Sequence, residues 1–402
     1  MQIVQTVFGV FHHFELAREL DARGHLARVY STWPWARLKR EGLPRDKVQT
    51  FPWLHVPEYL ASRAPFDTTW LRDPLGYANA VAFDRWTERR LEPLLRSGRH
   101  LDTLIGISGS SLRAGALVQR SGGMFVCDRG STHQRYQEQL ISDEFRRWGV
   151  NLPVSDPRDT RREEAIYEQA DAITVPSSAA ARSFVEMGVP SDKVHVIPYG
   201  VRLERFSPSA EPRRDRFEAL FAGSVGLRKG VPYLLEAFAG LRHPSKRLRI
   251  VGAVQEDLRP LLPKLPMADV EMLGSVPQSE LAAMMSSSHV LVLPSIEEGL
   301  ALVQAQAMAC GCPVICSTNT GGEDLFTDGV EGFIVPIRDP AALRQRMQQL
   351  ADDPELQRSM REASLRRVQS IGGWRQYGDR WERLLVGLSK PPGPATSDNA
   401  KP

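Results

Sequence analysis

The sequence predicts an α/β protein built from two open, doubly wound parallel sheets. Short apolar stretches alternate with longer segments of helical periodicity along most of the chain, a pattern typical of parallel sheets covered by helices. The length of 402 residues exceeds what one ordinary hydrophobic core organises, so we expect two domains.

The elements of the first half follow in order. MQIVQTV predicts a strand, HHFELARELDARGH a helix with apolar residues at helical spacing, and LARVYST a second strand. Further strands are expected within residues 101–109 and 123–128, and residues 170–200 contain a strand, a helix and another strand. Residues 1–204 are therefore predicted to form the first domain.

A change in composition marks the boundary between the halves. Proline, serine and charged residues replace periodic apolar residues over 201–216, which predicts a linker. The alternation then restarts with strands in FEALFAGS, RLRIVGA, VEMLGSV, HVLVLPS and PVICS, and helices in GVPYLLEAFAGL, SELAAMMSSS and ALVQAQAMAC. We assign residues 205–371 to a second domain that forms its own doubly wound sheet.

The end of the chain contains three further features. Residues 339–370 predict two helices separated at Pro354. Trp374, Tyr377 and Trp381 form an aromatic stripe on a helix predicted over 372–388, and such a stripe more often packs than binds a cofactor. Residues 389–402 lack apolar content and are predicted to be disordered.

Composition indicates a soluble globular protein. Hydrophobic residues make up 42% and charged residues 25% of the chain, which are ordinary values for folded domains. No apolar stretch is long enough to span a bilayer, and the opening MQIVQTVFGV lacks the basic and apolar regions of a signal peptide. We therefore expect a cytoplasmic protein. The net charge of only +3 gives no support to nucleic-acid binding.

Three of the four cysteines lie close together in CGCPVIC, at Cys310, Cys312 and Cys316. No second cluster of cysteine and histidine completes a metal site. We interpret these residues as small buried thiols in a reducing compartment.

Two basic segments contain aromatic residues. Residues 33–47 interleave Trp33 and Trp35 with arginine and lysine, and residues 85–100 add a basic helical pattern. Two interpretations remain open: a solvated face, or peripheral contact with the anionic inner face of the cytoplasmic membrane.

Three loops that follow strands of the second half carry unusual chemistry, and ligands of open parallel sheets bind at such loops. In FAGSVGLRKG, a glycine-bearing loop is followed by Arg228 and Lys229, two cations suited to a diphosphate. In PSIEEGLA, Glu298 faces the same place and accepts hydrogen bonds from sugar hydroxyls. In STNTGGED, Gly321 and Gly322 allow close approach of the backbone to the same ligand. Polyol and phosphate together indicate a nucleotide sugar.

The same stretches resemble a known family. FAGSVGLRKGVPYLLEAF, VLPSIEEGLALVQAQAMACGCPVI and TGGEDLFTDGVEGFIV are similar to the donor-binding half of the family 4 glycosyltransferases, and the resemblance continues through residues 170–208. It implies the GT-B fold, in which two Rossmann-like domains face a central cleft. The second domain then holds the donor, the first holds the acceptor, and a C-terminal helix crosses back to the first. The implied activity is retaining transfer from a nucleotide-diphosphate sugar, without a metal ion or other cofactor, to a glycan or lipid-linked glycan.

The resemblance also implies roles for single residues. Lys229 matches the lysine that holds the diphosphate, and Ser224 replaces the usual arginine after Gly223, which makes Arg228 the candidate for that duty. Glu298 matches the glutamate that touches the donor sugar, and Gln306 stands where the family has a ribose-binding glutamate. The remaining predicted site residues are Gly9 and His133 in the first domain and Gly299, Leu302 and Val303 beside the donor.

The implied mechanism is electrostatic, because Lys229, Arg228 and the free N–H groups near Leu302 and Val303 meet the charge of the leaving nucleoside diphosphate. Glu298 and His133 complete the predicted catalytic set. Two alternatives stay open: a nucleotide-sugar epimerase of the same fold, and a non-catalytic protein that binds nucleotide sugars. A nicotinamide-dependent oxidoreductase is disfavoured because no Gly-x-Gly-x-x-Gly motif is present.

Overall fold

The computed structural model of the protein describes residues 1–61, 69–98, 100–151, 155–202 and 204–389. Within these ranges the chain forms one seven-stranded and one six-stranded sheet, and every pairing between neighbouring strands is parallel. The predicted pair of doubly wound parallel sheets is confirmed. The tail that was predicted to be disordered lies outside the described residues beyond Ser389.

The first sheet is formed by the first half of the chain. Its strands are β1 (Ile3–Val7), β2 (Leu26–Ser31), β3 (Val48–Thr50), β4 (Thr103–Ile107), β5 (Met124–Asp128), β6 (Ala172–Val175) and β7 (Val194–Val196). They lie in the order β3-β2-β1-β4-β5-β6-β7. The order reverses between β1 and β4, and a crevice at such a reversal is where open parallel sheets bind ligands.

Eight helices accompany this sheet in the described ranges. They are α1 (Phe11–Ala22), α2 (Trp35–Leu38), α3 (His55–Ala61), α4 (Thr69–Arg96), α5 (Leu112–Arg120), α6 (Gln134–Arg147), α7 (Pro157–Gln169) and α8 (Ser178–Glu186). Helix α1 buries Phe14, Leu16, Ala17 and Leu20 completely, which are the residues whose spacing predicted it.

The second sheet repeats this plan. Its strands are β8 (Phe217–Ala222), β9 (Lys246–Val251), β10 (Val270–Gly274), β11 (Val290–Leu293), β12 (Val314–Ser317) and β13 (Gly332–Val335), in the order β10-β9-β8-β11-β12-β13. Its helices are α9 (Val231–Ala239), α10 (Gln278–Ser287), α11 (Val303–Ala309), α12 (Pro340–Asp352) and α13 (Pro354–Val368). All four residues of β11 are buried, as expected for a central parallel strand that is covered on both faces of its sheet.

Helix α11 begins later than the sequence predicts. The predicted helix ALVQAQAMAC begins at Ala301, but α11 starts at Val303. The reason lies in the neighbouring loop, because the Ala301 amide donates to the carbonyl of Thr320 at 3.1 Å instead of continuing a helix. Residues 300–302 therefore form a connecting turn between the acidic loop and α11.

The last helix, α14 (Trp374–Ser389), lies against α1 of the first half. Arg23 Nη2 lies 2.5 Å from Asp379 Oδ1, and His25 Nε2 lies 2.8 Å from Glu382 Oε1. The rings of Tyr377 and Trp381 are buried, so the aromatic stripe packs as predicted.

Candidate active site

Two loops at the carboxyl end of the second sheet are docked on each other. The loop after β8 ends at Gly230, which has a φ of +65°, and a Cβ there would lie 2.0 Å from the carbonyl oxygen of Pro294. Only glycine allows this approach. The Ile296 amide donates to the Arg228 carbonyl at 2.8 Å. This packing places Arg228 and Lys229 beside the acidic turn that follows β11.

Lys229 and Glu298 form an ion pair at this junction. Lys229 Nζ contacts Glu298 Oε1, and Ser295 Oγ donates to the same oxygen at 3.2 Å. Burial, together with the charge of Arg228, lowers the pKa of Lys229 to about 7. A ligand that brings phosphate to Lys229 and hydroxyls to Glu298 would replace this pair with two separate interactions.

Arg228 completes the cationic side of the site. Its Nη1 donates to the carbonyl of Glu297 at 3.0 Å and lies 3.6 Å from Glu298 Oε2. Its side chain is 36% exposed, so a ligand can reach the guanidinium.

Glu297 connects the two halves of the protein, a role that the sequence did not reveal. Its fully buried carboxylate accepts hydrogen bonds from Ser131 Oγ at 2.6 Å, Thr132 Oγ1 at 2.8 Å and Gln137 Nε2 at 2.8 Å. Burial alone would raise the pKa of Glu297, but the Arg228 charge and these hydrogen bonds outweigh it and hold the pKa below its usual range. Glu297 is therefore an anion that fixes the acidic turn against the loop after β5.

Two further contacts hold the acidic turn in place. A Cβ on Gly299 would lie 2.0 Å from the carbonyl oxygen of Gly130, so only glycine fits at this contact. Ser177 Oγ donates to the carbonyl of Gly299 at 2.5 Å. Gly299, which was predicted to lie beside the donor, therefore allows the acidic turn to contact the loop after β5.

The two glutamines of α11 differ in environment. Gln304 is buried, and its Nε2 donates to the carbonyls of Ala301 at 3.2 Å and Thr320 at 3.0 Å. Gln306 is half-buried, and its side-chain amide has no hydrogen-bond partner within the described ranges. Gln304 thus supports the turn before α11, whereas Gln306 is available to a ligand.

The other predicted donor residues of the second half lie in the loops that follow its strands and at the start of α11. Gly223 and Ser224 begin the loop after β8, Leu302 and Val303 start α11 and are half-buried, and Gly321 and Gly322 follow β12. Gly321 has a φ of +72°, and a Cβ there would lie 2.8 Å from Ser177 Cβ.

The two predicted residues of the first half lie in different settings. Gly9, with a φ of +73°, belongs to the loop between β1 and α1. His133 begins α6 as its N-cap, where Nδ1 accepts from the Arg135 amide at 3.2 Å. Its ring packs against Tyr167 and Phe184, and burial lowers its pKa to about 4. These contacts account for His133 without a catalytic role, so its contact with a donor sugar stays a prediction.

A buried histidine pair at the start of α1 also escaped the sequence analysis. Asp128 Oδ2 lies 2.9 Å from His12 Nε2 and 3.3 Å from His13 Nε2. Burial lowers the pKa of His12 to about 4, so the ring is neutral at physiological pH. In the part of the chain that the structure describes, this trio alone has the spacing of metal ligands.

The cysteines of CGCPVIC are buried free thiols, as predicted. Burial raises the pKa of Cys310 to about 11 and that of Cys316 to about 12. They are therefore protonated and unreactive at neutral pH.

Comparison with known proteins identifies the family. Residues 10–205 match the model described as Glycosyltransferase Family 4, and residues 204–367 match the model described as Glycosyl transferases group 1. An MMP alpha-(1->4)-mannosyltransferase from Mycolicibacterium hassiacum is 30% identical over 381 residues, which cover 89% of this chain and 89% of that protein. The chain belongs to glycosyltransferase family 4.

Other relatives agree with this assignment. A D-inositol 3-phosphate glycosyltransferase from Catenulispora acidiphila is 28% identical to this glycosyltransferase over 71% of its chain and 72% of that protein. Sucrose-phosphate synthase from Thermosynechococcus elongatus superimposes with a TM-score of 0.66 at 20% identity, covering 96% of this chain and 99% of that chain. Anabaena HepE in complex with UDP-glucose gives a TM-score of 0.65 at 14% identity, covering 96% and 100%. The fold of this glycosyltransferase is GT-B.

Proposed function

We propose that this glycosyltransferase transfers a sugar from a nucleotide-diphosphate sugar to a hydroxyl of a glycan or lipid-linked glycan, with retention and without a metal ion. The observation that carries the proposal is the junction of Arg228 and Lys229 with Glu298. It offers cations for a diphosphate and a carboxylate for sugar hydroxyls within one site.

Gln306 adds a third kind of ligand contact, to ribose, beside the cations and the carboxylate of this junction. Its free amide lies on α11, the helix that follows the acidic turn, and can both donate to and accept from ribose hydroxyls. Phosphate, sugar and ribose contacts together match three of the four parts of a nucleotide sugar, the fourth being the base. The UDP-glucose bound to Anabaena HepE is a ligand of this kind.

The proposed chemistry proceeds on one face of the sugar. The bond between the anomeric carbon and the phosphate oxygen breaks while the acceptor hydroxyl bonds to the same face, and the leaving phosphate takes the hydroxyl proton. Lys229, Arg228 and the N–H groups at Leu302 and Val303 stabilise the negative charge that develops on the diphosphate. These groups supply the positive charge that a divalent cation would otherwise provide.

A donor panel tests this proposal. Radiolabelled nucleotide-diphosphate sugars are incubated with the enzyme in EDTA, with and without a glycan mixture, and proton NMR gives the anomeric configuration of the product. We expect transfer from at least one donor, with the configuration of the donor kept. An inverted product contradicts retention, a donor converted to its epimer without acceptor indicates an epimerase, and a bound but unchanged donor indicates a binding protein.

We expect Gln306→Glu to tighten binding of the preferred nucleoside diphosphate by about 1 kcal/mol, roughly fivefold, because a carboxylate makes stronger hydrogen bonds to hydroxyls than an amide does. Titration calorimetry measures the change. The control is the 2′,3′-dideoxy form of the same nucleotide, with which the gain should vanish. A gain of equal size with the dideoxy form would show that Gln306 does not face the ribose.

We also propose peripheral contact with an anionic membrane through residues 33–47 and 85–100. Among the described residues, no helix has the length and apolar character to cross a bilayer. Trp33 and Trp35 are half-buried, with the Arg45 guanidinium 4.9 Å from the Trp35 ring centre. The neighbouring Trp53 and Leu60 are 75% and 64% exposed, and exposed aromatic and apolar residues beside cations suit a lipid interface.

Vesicle sedimentation tests the membrane contact. We expect binding to vesicles that contain phosphatidylglycerol, weaker binding to pure phosphatidylcholine, and a loss of binding in high salt. Trp53→Ser should weaken the binding, whereas Val330→Ser, at an exposed site in the second half, should not. Equal binding to both kinds of vesicle, or none, would contradict the proposal.

A further inference from the structure

A cavity that is separate from the donor junction lies at the carboxyl end of the first sheet. Its volume is about 290 Å³. Phe8, directly after β1, and Ser108, directly after β4, form part of its wall. The cavity thus occupies the place where the strand order of this sheet reverses, the usual ligand site of such sheets. Helices α3, α4 and α7 supply the remaining wall.

The cavity wall contains three carboxylates. Glu58 Oε2 accepts from Asn79 Nδ2 at 2.9 Å. Glu163 accepts from Ser108 Oγ, and its Oε1 lies 3.5 Å from Arg129 Nη1. Asp159, on α7, has no side-chain partner among the described residues.

Both arginines that the structure describes beside the cavity, Arg162 and Arg129, are already engaged. Arg162 lines it, but Arg162 Nη2 lies 2.5 Å from the buried Asp84 Oδ2, and Nε donates to the Gly109 carbonyl at 2.8 Å. Arg129 donates from Nη2 to both Gln134 and Gln137 at 2.8 Å. The described wall therefore has an excess of negative charge. Consistent with this, burial and the charges of Asp156 and Glu163 raise the pKa of Asp159 to about 6.

Two buried polar atoms in the same wall have no hydrogen-bond partner among the residues that the structure describes. They are Oδ1 of Asn79, a side chain that is only 2% exposed, and Nε2 of His55. A buried polar atom without a hydrogen bond is costly, so a ligand that supplies one is favoured there. Together with Asp159, these atoms offer mostly acceptors, which match the hydroxyl donors of a sugar.

We infer that this cavity binds the acceptor and selects a polyhydroxylated sugar that carries no phosphate on the part that enters it. Hydroxyl groups donate to Asp159 and Asn79, whereas a phosphate would be repelled by the carboxylates of Asp159 and Glu58, which no described arginine or lysine side chain contacts. The inference rests on the proposed function, because it names the acceptor of that same reaction. It also separates this enzyme from the relative whose name specifies inositol 3-phosphate.

Matched pairs of sugars test the inference. The rate of nucleoside diphosphate release from the donor is measured with myo-inositol, glucose, mannose or maltose, and with a phosphate monoester of each. A sugar that enters the cavity changes this rate, either by accepting the transferred sugar or by excluding the water that hydrolyses the donor. We expect at least one neutral sugar to act, and its phosphate ester to require a concentration at least about tenfold higher.

Substitutions assign the effect to the cavity. Asp159→Asn removes the charge and keeps the shape of the side chain. It should reduce the ratio between the concentrations at which a phosphate ester and its parent sugar change the release rate, and Glu58→Gln should do the same. Asp192→Asn, the same change at an exposed aspartate near β7, should leave this concentration ratio unchanged. Affinity for the nucleoside diphosphate should not change in any of the three variants.

The outcomes separate the two proposals. The inference is overturned if phosphate esters change the release rate at concentrations equal to or lower than those of the parent sugars, or if no neutral sugar changes it. In both cases, turnover of the donor would still support the proposed function. The inference is also overturned if the concentration ratio between ester and sugar is the same in Asp159→Asn and Glu58→Gln as in the wild type. An enzyme that releases no nucleoside diphosphate from any donor contradicts the proposed function, and this inference with it.

Discussion

Lys229→Ala is expected to lower kcat/KM for sugar transfer by roughly 30- to 1000-fold, which corresponds to about 2–4 kcal/mol of transition-state stabilisation. Lys229 is largely buried and lies against Glu298, so its Nζ is already positioned when the diphosphate begins to leave, and the negative charge of the diphosphate favours its protonated form. Water in place of the deleted side chain carries no net charge, so it stabilises the leaving diphosphate less than a positioned cation does. Initial rates with the donor identified by the panel measure the loss.

Lys264→Ala is the matched control, because Lys264 is exposed and lies in the segment between β9 and β10, outside the candidate site. It should leave kcat/KM unchanged. Equal rates for Lys229→Ala and the wild type would show that the charge on the leaving group is stabilised elsewhere.

Glu297→Ala is expected to lower the free energy of unfolding by about 3 kcal/mol, since removing one partner of a buried charged group leaves the others unsatisfied. The substitution leaves Ser131, Thr132 and Gln137 without the carboxylate to which they donate, and it removes one of the two carboxylates beside Arg228. Because Glu297 joins the acidic turn to the first half, sugar transfer should fall as well. Urea unfolding followed by circular dichroism gives the change in stability.

The pH dependence of this loss has a definite sign. The pKa of folded Glu297 lies below its ordinary value of 4.5, so its stabilisation is fully present above that pH and disappears as the pH falls through the folded-state pKa. The difference between Glu297→Ala and the wild type should therefore shrink in acid. Glu362→Ala is the control, because Glu362 forms only an exposed pair with Arg366 at 3.8 Å and should cost less than about 1 kcal/mol. Equal losses for both variants would contradict the role of Glu297.

Local patterns in the sequence were enough to predict much of the fold. Both parallel sheets follow from the alternation of apolar strands and amphipathic helices, because each element must bury its own apolar face. The packing of the thiols at Cys310 and Cys316 and of the rings at Tyr377 and Trp381 follows from the same argument. Helix α4 was predicted only in part, as the basic helical pattern within residues 85–100, and its 28 residues contain Pro74 and Pro93 although proline usually ends a helix.

Contacts between distant segments could not be predicted from local patterns. Glu297 binds Ser131, which lies 166 positions earlier, and His12 binds Asp128 at a separation of 116. The sequence of the acidic turn does not show that Glu297 faces the first half of the protein while Glu298 faces Lys229. The cavity beside Asp159 likewise forms only when α3, α4 and α7 meet at the end of the first sheet.

Binding of a nucleoside diphosphate at the junction of Lys229 with Glu298 is the property on which the proposed donor site depends. Titration calorimetry of UDP, GDP and ADP in EDTA, with the wild type and with Lys229→Ala, tests this binding. We predict that at least one nucleotide binds the wild type and that Lys229→Ala binds the same nucleotide at least about tenfold more weakly. If no nucleotide binds, or if the wild type and the variant bind equally well, the site proposed for the donor is wrong.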